Sequence, residues 1–284
     1  MNKLFLFCLL GFSVSSAAKN PTASEIIEQI KNHINCEWDD ETIDTFKSGN
    51  TDDEVTGIVC CMFADMNVLK DAVAQKCNLI ITHEPVYYNH LDETPSMEHD
   101  PVLQEKLNYI NENDLIIWRF HDHWHRHQPD GIYVGMLDKL GWSSSTVEDN
   151  YRLVKIEKQT LKELSDRLQS IFQVPGIRVI GDPNLEVSKI GLMLGAPGAK
   201  RQIQMLQTDI DLMIGGEAQE WETYQYVNDA VIQGKNKAVI FLGHIKSEEA
   251  GMAYLAEWLA TFQKQVPIIY SENKVPYWTP NQKP

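Results

Sequence analysis

The stretch Asp114-Leu-Ile-Ile-Trp-Arg-Phe-His-Asp-His-Trp-His-Arg-His127 joins a short apolar run to a cluster of histidines. The run up to Phe120 predicts a buried strand, because short apolar segments of this length are typical of strands in a sheet core. Four of the nine histidines in the chain follow directly: His121, His123, His125 and His127. Imidazole is the commonest metal-binding side chain, and ligands of open α/β sheets bind beyond the carboxyl ends of strands. The stretch therefore predicts a metal site at the end of a central strand.

The conformation of this histidine run stays open at the level of the sequence. In an extended chain all four imidazoles would share one face. In a helical turn His121 would pair with His125, and His123 with His127. Asp122 and Asp130 are further candidates. We favour His121 and His125 as the ligands, because His121 stands at the strand end.

Strands and helices alternate on both sides of this stretch. Helical spacing of apolar residues and capping residues predict helices at 21–34, 68–76, 102–111, 130–142, 160–172, 199–206, 218–232 and 248–262. Short apolar runs predict strands at 54–62, 78–82, 114–120, 151–156, 177–180, 190–194, 209–214, 238–242 and 266–270. This alternation predicts an α/β fold with mostly parallel sheets flanked by helices. We expect two lobes, roughly 19–145 and 146–284, with the metal site at strand carboxyl ends between them.

Two other predicted strands end on metal-type ligands. Strand 78–82 is followed by His83 and Glu84, and strand 238–242 is followed by His244, with Glu248 four residues further on. If a helix begins at His244, the i,i+4 spacing places both side chains on one face. Histidines combined with carboxylates are a suitable ligand set for two metals bridged by a carboxylate. The predicted metal ligands are His83, Glu84, His121, His125, His244 and Glu248.

Two residues are candidates for moving protons. Glu217 follows a Gly-Gly turn at the end of strand 209–214, where it either lines the site as a base or caps the next helix. His123 is the second candidate, because it lies within the histidine run. The turn Gly195-Ala-Pro-Gly198 precedes a helix but does not form a Walker A loop, so we interpret it as structural. The sequence has no G-x-S-x-G motif, which argues against a serine hydrolase of that type.

The composition excludes several classes of partner. The chain has 284 residues and a formal net charge of -15, which disfavours non-specific binding to nucleic acid or to anionic membranes. Residues 1–18 contain Lys3, a short apolar region and the small residues Ser16-Ala-Ala18, a pattern typical of a secretory signal peptide. The alternative is a buried N-terminal strand. We predict a secreted or periplasmic protein that does not bind nucleic acid or membranes.

The remaining cysteines do not form a zinc-ribbon pattern. Cys36, Cys60, Cys61 and Cys77 include no C-x-x-C pair. The adjacent Cys60 and Cys61 lie in an apolar run and are predicted to pack in the core. An exported chain could also form a disulfide, and the sequence does not assign its pairing.

Several segments resemble one family of proteins. Ile80-Ile-Thr-His-Glu-Pro85 resembles the "ITHHP" segment of the Nif-three-like dinuclear-metal proteins, also described as type-two GTP cyclohydrolase I-like. Gly243-His-Ile-Lys-Ser-Glu248 resembles their "GH-x-x-[ST]-E" motif, and Gly251 to Leu259 resembles the helix after it. Gly215-Gly-Glu217 and Leu161 to Val179 are also similar to family segments. The resemblance covers most of the chain after residue 18.

The resemblance implies specific roles and two departures. His83, His244 and Glu248 match family metal ligands, with Glu248 in the position that bridges two metals. Glu84 stands where the family has a second histidine, and His125 stands where the family has a metal-binding aspartate. The resemblance also implies an α/β fold, two divalent ions such as zinc, manganese or iron, and ring-shaped assemblies that are often homo-hexamers.

The leading functional hypothesis is a dinuclear metal-dependent hydrolase that uses a metal-bound water on a small-molecule substrate. The sequence shows no guanine or triphosphate motif, so a phosphoester or a cyclic amide stays open as substrate. The alternative is a non-catalytic metal-binding protein that serves as an oligomeric scaffold. A third interpretation is a plain α/β fold in which the histidines are structural.

Overall fold

The computed structural model describes residues 19–148 and 150–280, so the predicted signal peptide lies outside the described residues. The α-helices in chain order are α1 (Ala23–His33), α2 (Met66–Ala74), α3 (Pro101–Glu112), α4 (Asp122–Arg126), α5 (Gly131–Leu140), α6 (Leu161–Phe172), α7 (Ala199–Leu206), α8 (Gln225–Ile232) and α9 (His244–Phe262). The strands are β1 (Phe46–Ser48), β2 (Ile58–Cys61), β3 (Leu79–Thr82), β4 (Ile116–Arg119), β5 (Thr146–Val147), β6 (Asn150–Thr160), β7 (Arg178–Ile180), β8 (Glu186–Met193), β9 (Leu212–Gly215), β10 (Ala238–Phe241) and β11 (Ile268–Tyr270). A 3₁₀ helix spans Pro95–Met97, and a π-helix spans Glu220–Tyr224.

The first sheet contains strands from both ends of the chain. Its order is β1-β4-β3-β2-β11. The four strands from β4 to β11 are parallel, and β1 closes one edge in the antiparallel direction. Strand β11, near the C-terminus, pairs with β2. The last described strand therefore returns to the first sheet.

The second sheet is mixed. Its order is β5-β6-β8-β9-β10-β7. Strands β8, β9 and β10 are parallel, whereas β5, β6 and β7 pair in the antiparallel direction. The predicted α/β class, with two sheets flanked by helices, is confirmed.

The two sheets face each other across a layer of helices. Helices α1, α5, α6 and α9 contribute to one central core with both sheets. In β2, Ile58 faces this core and Val59 faces α2 and α3. In β9, Ile214 faces the core and Met213 faces α7 and α8. Because alternate residues point to opposite faces, both sheets are covered by helices on both sides.

Local signals place most helix starts correctly. Thr160 forms the predicted capping box with Glu163, and the Asp65 side chain accepts from backbone N–H groups at the start of α2. The main difference is α9, which begins at His244 rather than near Glu248. The segment predicted as a helix from residue 218 begins instead as the π-helix and continues as α8.

The cysteines are free thiols in the described part of the chain. Cys60 and Cys61 are fully buried, as predicted for core residues. Burial raises the pKa of both thiols. Across residues 19–148 and 150–280, no helix has the length and apolar character needed to cross a membrane.

Helices α5 and α9 approach each other closely at two glycines. A Cβ atom added at Gly135 would lie 2.2 Å from the carbonyl oxygen of Ala250. A Cβ atom added at Gly251 would lie 2.4 Å from the Cα of Ile132. Glycine within a helix costs about 1 kcal/mol relative to alanine, so these residues are explained by the backbone contact they allow.

We predict that Gly135→Ala and Gly251→Ala each lower the free energy of unfolding by about 1–3 kcal/mol, because backbone atoms cannot yield to the added methyl group. Urea denaturation followed by circular dichroism measures the change. The matched control is Gly176→Ala, where nothing lies within 4 Å of an added Cβ atom. If the two helix variants unfold at the same urea concentration as this control, the helices are not held by close glycine packing.

Candidate metal centre

The six predicted metal ligands come together in the seam between the two sheets. They are His83 and Glu84 after β3, His121 after β4, His125 in α4, and His244 and Glu248 in the first turns of α9. Strands β3 and β4 of the first sheet and strand β10 of the second sheet all end at this seam. His83 and Glu248 are buried, whereas His121, His125 and His244 are partly accessible.

The neighbouring strands β3 and β4 place two imidazoles side by side. Thr82 pairs with Arg119 across the strands, so His83, one residue further on, and His121, two residues further on, leave the sheet at the same edge. Their ring centroids lie 4.5 Å apart. The chain then forms the single helical turn α4, in which the His125 N–H donates to the His121 carbonyl at 3.0 Å. The helical alternative for the histidine run is therefore the one that the structure adopts.

Helix α9 supplies ligands from the second sheet. His244 Nε2 and Glu248 Oε2 lie 3.1 Å apart on one face of its first turns, as the i,i+4 spacing predicts. Gly195, with φ +61°, makes room for this carboxylate, because a Cβ atom there would lie 2.2 Å from Glu248 Oε1. The glycine at position 195 is therefore explained by the space that the Glu248 carboxylate needs.

Each of the four imidazoles has an oxygen behind its Nδ1 atom. The partners are the Phe120 carbonyl for His83 at 3.1 Å, Asp122 Oδ1 for His121 at 2.9 Å, Asp130 Oδ2 for His125 at 3.0 Å and Glu217 Oε1 for His244 at 3.4 Å. Carbonyl and carboxylate oxygens only accept, so each Nδ1 carries a proton, and Nε2 is the nitrogen that a metal ion could bind. This arrangement is typical of metal-binding histidines, whose second nitrogen is held by an acceptor.

The carboxylates of Glu84 and Glu248 lie next to the Nε2 atoms of these four imidazoles. Glu84 Oε1 lies 3.1 Å from His244 Nε2 and 3.9 Å from His121 Nε2. Glu248 Oε2 lies 3.8 Å from His83 Nε2, and Glu248 Oε1 lies 3.9 Å from His125 Nε2. Ligand atoms lie within 4.8 Å of one another in two groups: His83, His121 and His125, and His83, Glu84 and Glu248.

The donor set fits divalent metal ions. His83 Nε2 is buried and has no hydrogen-bond partner in the described part of the chain. An unsatisfied buried polar group costs about 1–3 kcal/mol, and a bound ion would remove that cost. His244 Nε2 has carboxylate oxygens of both Glu84 and Glu248 at 3.1 Å. A cation between these groups would satisfy all of them, as zinc, manganese or iron do in sites built from histidines and carboxylates.

The surroundings shift the pKa values of His83 and His244 in opposite directions. Burial lowers the pKa of His83 well below its ordinary value, and His121 and His125 lower it further. Burial also lowers the pKa of His244, but the carboxylates of Glu217, Glu248 and Glu84 outweigh it and raise the pKa to about 12. The point between these carboxylates therefore attracts a cation strongly.

The structure does not bring His123 to the cluster. Its Nδ1 lies 2.7 Å from Asp44 Oδ2, its Nε2 accepts from the Asp39 backbone N–H at 2.9 Å, and its ring stacks on Trp38. Both ring nitrogens are thus engaged by partners outside the cluster. The proton-transfer role predicted for His123 has no geometric support. The reason is the helical turn, which points His123 away from the side that His121 and His125 share.

Arg119 is a buried component of the site that the sequence does not reveal. Its Nε donates to the His83 carbonyl at 3.2 Å, and its Nη1 donates to the His90 carbonyl at 2.6 Å. Its Nη2 lies 3.5 Å from Glu84 Oε2. Arg119 lies in an apolar strand segment, and the sequence there gives no signal for this contact. Asp122 and Asp130, the further candidates from the histidine run, lie behind the Nδ1 atoms of His121 and His125.

Comparison with known proteins identifies the family. Residues 21–276 match the family described as Duf34/NIF3 (NGG1p interacting factor 3). The chain belongs to the Duf34/NIF3 family. A relative from Clostridium acetobutylicum, named "GTP cyclohydrolase 1 type 2 homolog", is 26% identical over 245 residues, which are 81% of this chain and 87% of the relative.

Solved structures share the fold of this NIF3-family protein. A hypothetical protein of Staphylococcus aureus has a TM-score of 0.72 at 14% identity, with 92% of this chain and 99% of that chain covered. A Bacillus cereus protein related to NIF3 has a TM-score of 0.70 at 14% identity, with 92% and 100% covered. The family predicted from the sequence motifs is therefore confirmed, together with its two-sheet α/β fold.

We predict that Asp130→Asn weakens metal binding by about 10–100-fold, the usual effect of losing the acceptor behind a metal-binding histidine. Asp130 uses both oxygens: Oδ1 accepts from the Ile132 N–H, and Oδ2 faces His125 Nδ1. Asparagine has one acceptor oxygen and cannot serve both. Competition with a chromophoric chelator measures the affinity.

The matched control is Asp100→Asn. Asp100 caps α3 through the backbone N–H groups of Val102 and Leu103, in the same way that Asp130 caps α5, and it lies outside the histidine cluster. We expect the affinity of this control to equal that of the unaltered protein. Equal affinities in both variants would show that His125 does not bind metal.

Proposed function

We propose that this NIF3-family protein is a divalent metal-dependent hydrolase of small molecules. The observation that supports it is the convergence of four imidazole Nε2 atoms on two carboxylates, each imidazole held from behind by an oxygen. His83, Glu84, His121, His125, His244 and Glu248 would hold two divalent ions. Such ions supply a hydrolytic nucleophile near neutral pH and polarise the bond to be cleaved.

A cavity beside the cluster supports a small-molecule substrate. It has a volume of about 790 Å³, and His244 and Glu217 form part of its wall. Pockets for small ligands usually have volumes of about 300–1,000 Å³. Aromatic side chains also line it: Phe63, Tyr224, Phe241 and Tyr277. The cavity therefore suits a substrate with an apolar or aromatic part next to the bond that is cleaved.

Glu217 is the candidate for proton transfer at the mouth of the site. Its side chain is 58% exposed and faces His244 rather than capping the next helix. The hydrogen bond with His244 lowers the pKa of Glu217 and outweighs the opposing effect of partial burial. The group is thus a carboxylate at neutral pH, at a place where it can accept a proton from water or from a substrate.

A structural role for the metals is the alternative. The ligands come from both sheets, and His83 and Glu248 are buried in the seam between them. Ions at this position would cross-link the two lobes. In that case chelation would lower the melting temperature, and no hydrolysis would accompany metal binding.

We predict that purified protein contains about two divalent ions per chain and that His244→Ala and Glu248→Gln each reduce this content, because each removes a ligand. Elemental analysis measures the ions. Hydrolysis is assayed on a panel of phosphoesters and cyclic amides, before and after chelation. The control is His99→Ala, which removes an exposed imidazole outside the cluster.

Unchanged metal content in both ligand variants would contradict the ligand assignment. Full metal content with no hydrolysis across the panel, and a lower melting temperature after chelation, would favour the structural role. Turnover that is lost with the metal and returns on its addition would support the hydrolase.

Two further proposals come from the sequence and the family resemblance. We infer a homo-hexamer and export of the chain after removal of residues 1–18. Light scattering of the purified protein and N-terminal sequencing of protein from the native host test them separately.

A further inference from the structure

We propose that the two metal positions are chemically unequal and select different ions. His83, His121 and His125 form a nitrogen-rich position that takes zinc. Glu84, Glu248 and His244 form an oxygen-rich position that takes a harder ion such as manganese. The inference rests on the proposed dinuclear metal centre and assigns its composition.

The nitrogen-rich position consists of three imidazoles that lie close together. The ring centroids of His83 and His125 lie 5.0 Å apart, and those of His121 and His125 lie 4.8 Å apart. Their ligand atoms lie within 4.8 Å of one another. An oxygen acceptor lies behind each Nδ1, which leaves the Nε2 atom as the nitrogen that can bind a metal ion. Three imidazoles with an open fourth position are a common zinc site, because zinc favours nitrogen ligands and tetrahedral geometry.

The oxygen-rich position lies on the other side of the cluster. Glu84 Oε1 and Glu248 Oε2 each lie 3.1 Å from His244 Nε2. Glu217 lies behind the same imidazole, 3.4 Å from its Nδ1. Carboxylate oxygens are the preferred ligands of harder ions such as manganese and magnesium. Two carboxylates with one imidazole therefore shift the preference of this position away from zinc.

Glu248 joins the two positions. Its Oε1 lies 3.9 Å from His125 Nε2, and its Oε2 lies 3.1 Å from His244 Nε2. Oε2 also lies 3.8 Å from His83 Nε2, so the carboxylate faces both positions, with Oε2 between them. This geometry fits a bridging carboxylate, so the two positions belong to one centre.

Because Arg119 engages one oxygen of Glu84, only the other oxygen is left to bind a metal ion. Glu84 Oε2 faces the buried Arg119 Nη2 at 3.5 Å, whereas Oε1 faces the cluster. Arg119 is fixed by the carbonyls of His83 and His90, so it cannot follow Glu84 if that side chain turns. The guanidinium also balances the charge of a carboxylate that is otherwise costly to bury. Arg119 is therefore a positioning residue for the oxygen-rich site.

The test loads metal-stripped protein with one equivalent of Zn²⁺ per chain and an excess of Mn²⁺, because a given site of mixed donors binds zinc more tightly than manganese. Unbound ions are then removed, and both metals are measured by elemental analysis. We expect about one zinc and one manganese per chain. Electron paramagnetic resonance should show isolated Mn²⁺ rather than coupled Mn²⁺ pairs. A ratio near one to one with isolated Mn²⁺ supports two unequal positions.

Donor-exchange variants separate the two positions. Glu84→His should replace bound manganese with zinc, because the oxygen-rich position then has two imidazoles. His125→Asp should lower zinc occupancy and raise manganese occupancy at the other position. The matched controls are Glu98→His and His99→Asp, which make the same exchanges at exposed residues and should leave the ratio unchanged.

Arg119 is tested by the same measurement. Arg119→Met should reduce manganese occupancy and leave zinc in place, whereas Arg119→Lys should restore part of the manganese. Loss of both ions in Arg119→Met, with no recovery in Arg119→Lys, would contradict a role confined to Glu84.

Two results overturn the inference in different ways. Wild-type protein that takes two equivalents of one metal from the mixture, with no change of ratio in Glu84→His and His125→Asp, would show that the positions are alike. The proposed metal centre would survive that result. Wild-type protein that binds neither ion would overturn the metal centre itself, and the inference with it.

Discussion

The close approach of α5 and α9 is the constraint on which the rest of the structure depends. Gly135 and Gly251 let the two backbones come together without side chains between them. Helix α9 also packs on β2 and β11 of the first sheet, while it follows β10 of the second sheet. The position of this helix therefore sets how far the carboxyl ends of the two sets of strands lie from each other. A wider helix pair would leave His244 and Glu248 away from the ligands of β3 and β4.

The sequence predicts the parts of this centre that depend on local order. Parallel strands present their carboxyl ends at one edge, so histidines directly after β3 and β4 could be expected to meet. The meeting of two different sheets depends on contacts between distant segments, which leave no periodic signal. Strand 266–270 was expected from its apolar run, but its pairing with β2 is such a contact. For the same reason, the sequence could not place the Gly195 turn against Glu248.

The histidine run shows where residue-level prediction ends. The i,i+4 spacing predicts that a helical turn would place His121 and His125 on one side, and the turn α4 places them there. Whether His123 joins the cluster or leaves it depends on Asp44, nearly eighty residues earlier in the chain, which accepts from its ring and from its backbone N–H. Arg119 was part of an apolar strand pattern, and its buried contact with Glu84 Oε2 exists because the sheet end brings the two side chains together. Partners that lie far apart in the sequence decide which donors face the metal positions.

The cluster concentrates charge where water has little access. Glu84 and Glu248 are buried near each other, and Arg119 balances part of their charge. Burying carboxylates that are only partly compensated destabilises the folded chain, and a bound cation removes that penalty. Anything that binds the folded state alone also stabilises it. Because the candidate ligands come from both sheets, a bound cation would also stabilise the packing of the two sheets across α9. A residue that loosens the α5–α9 contact would therefore weaken metal binding without touching a ligand.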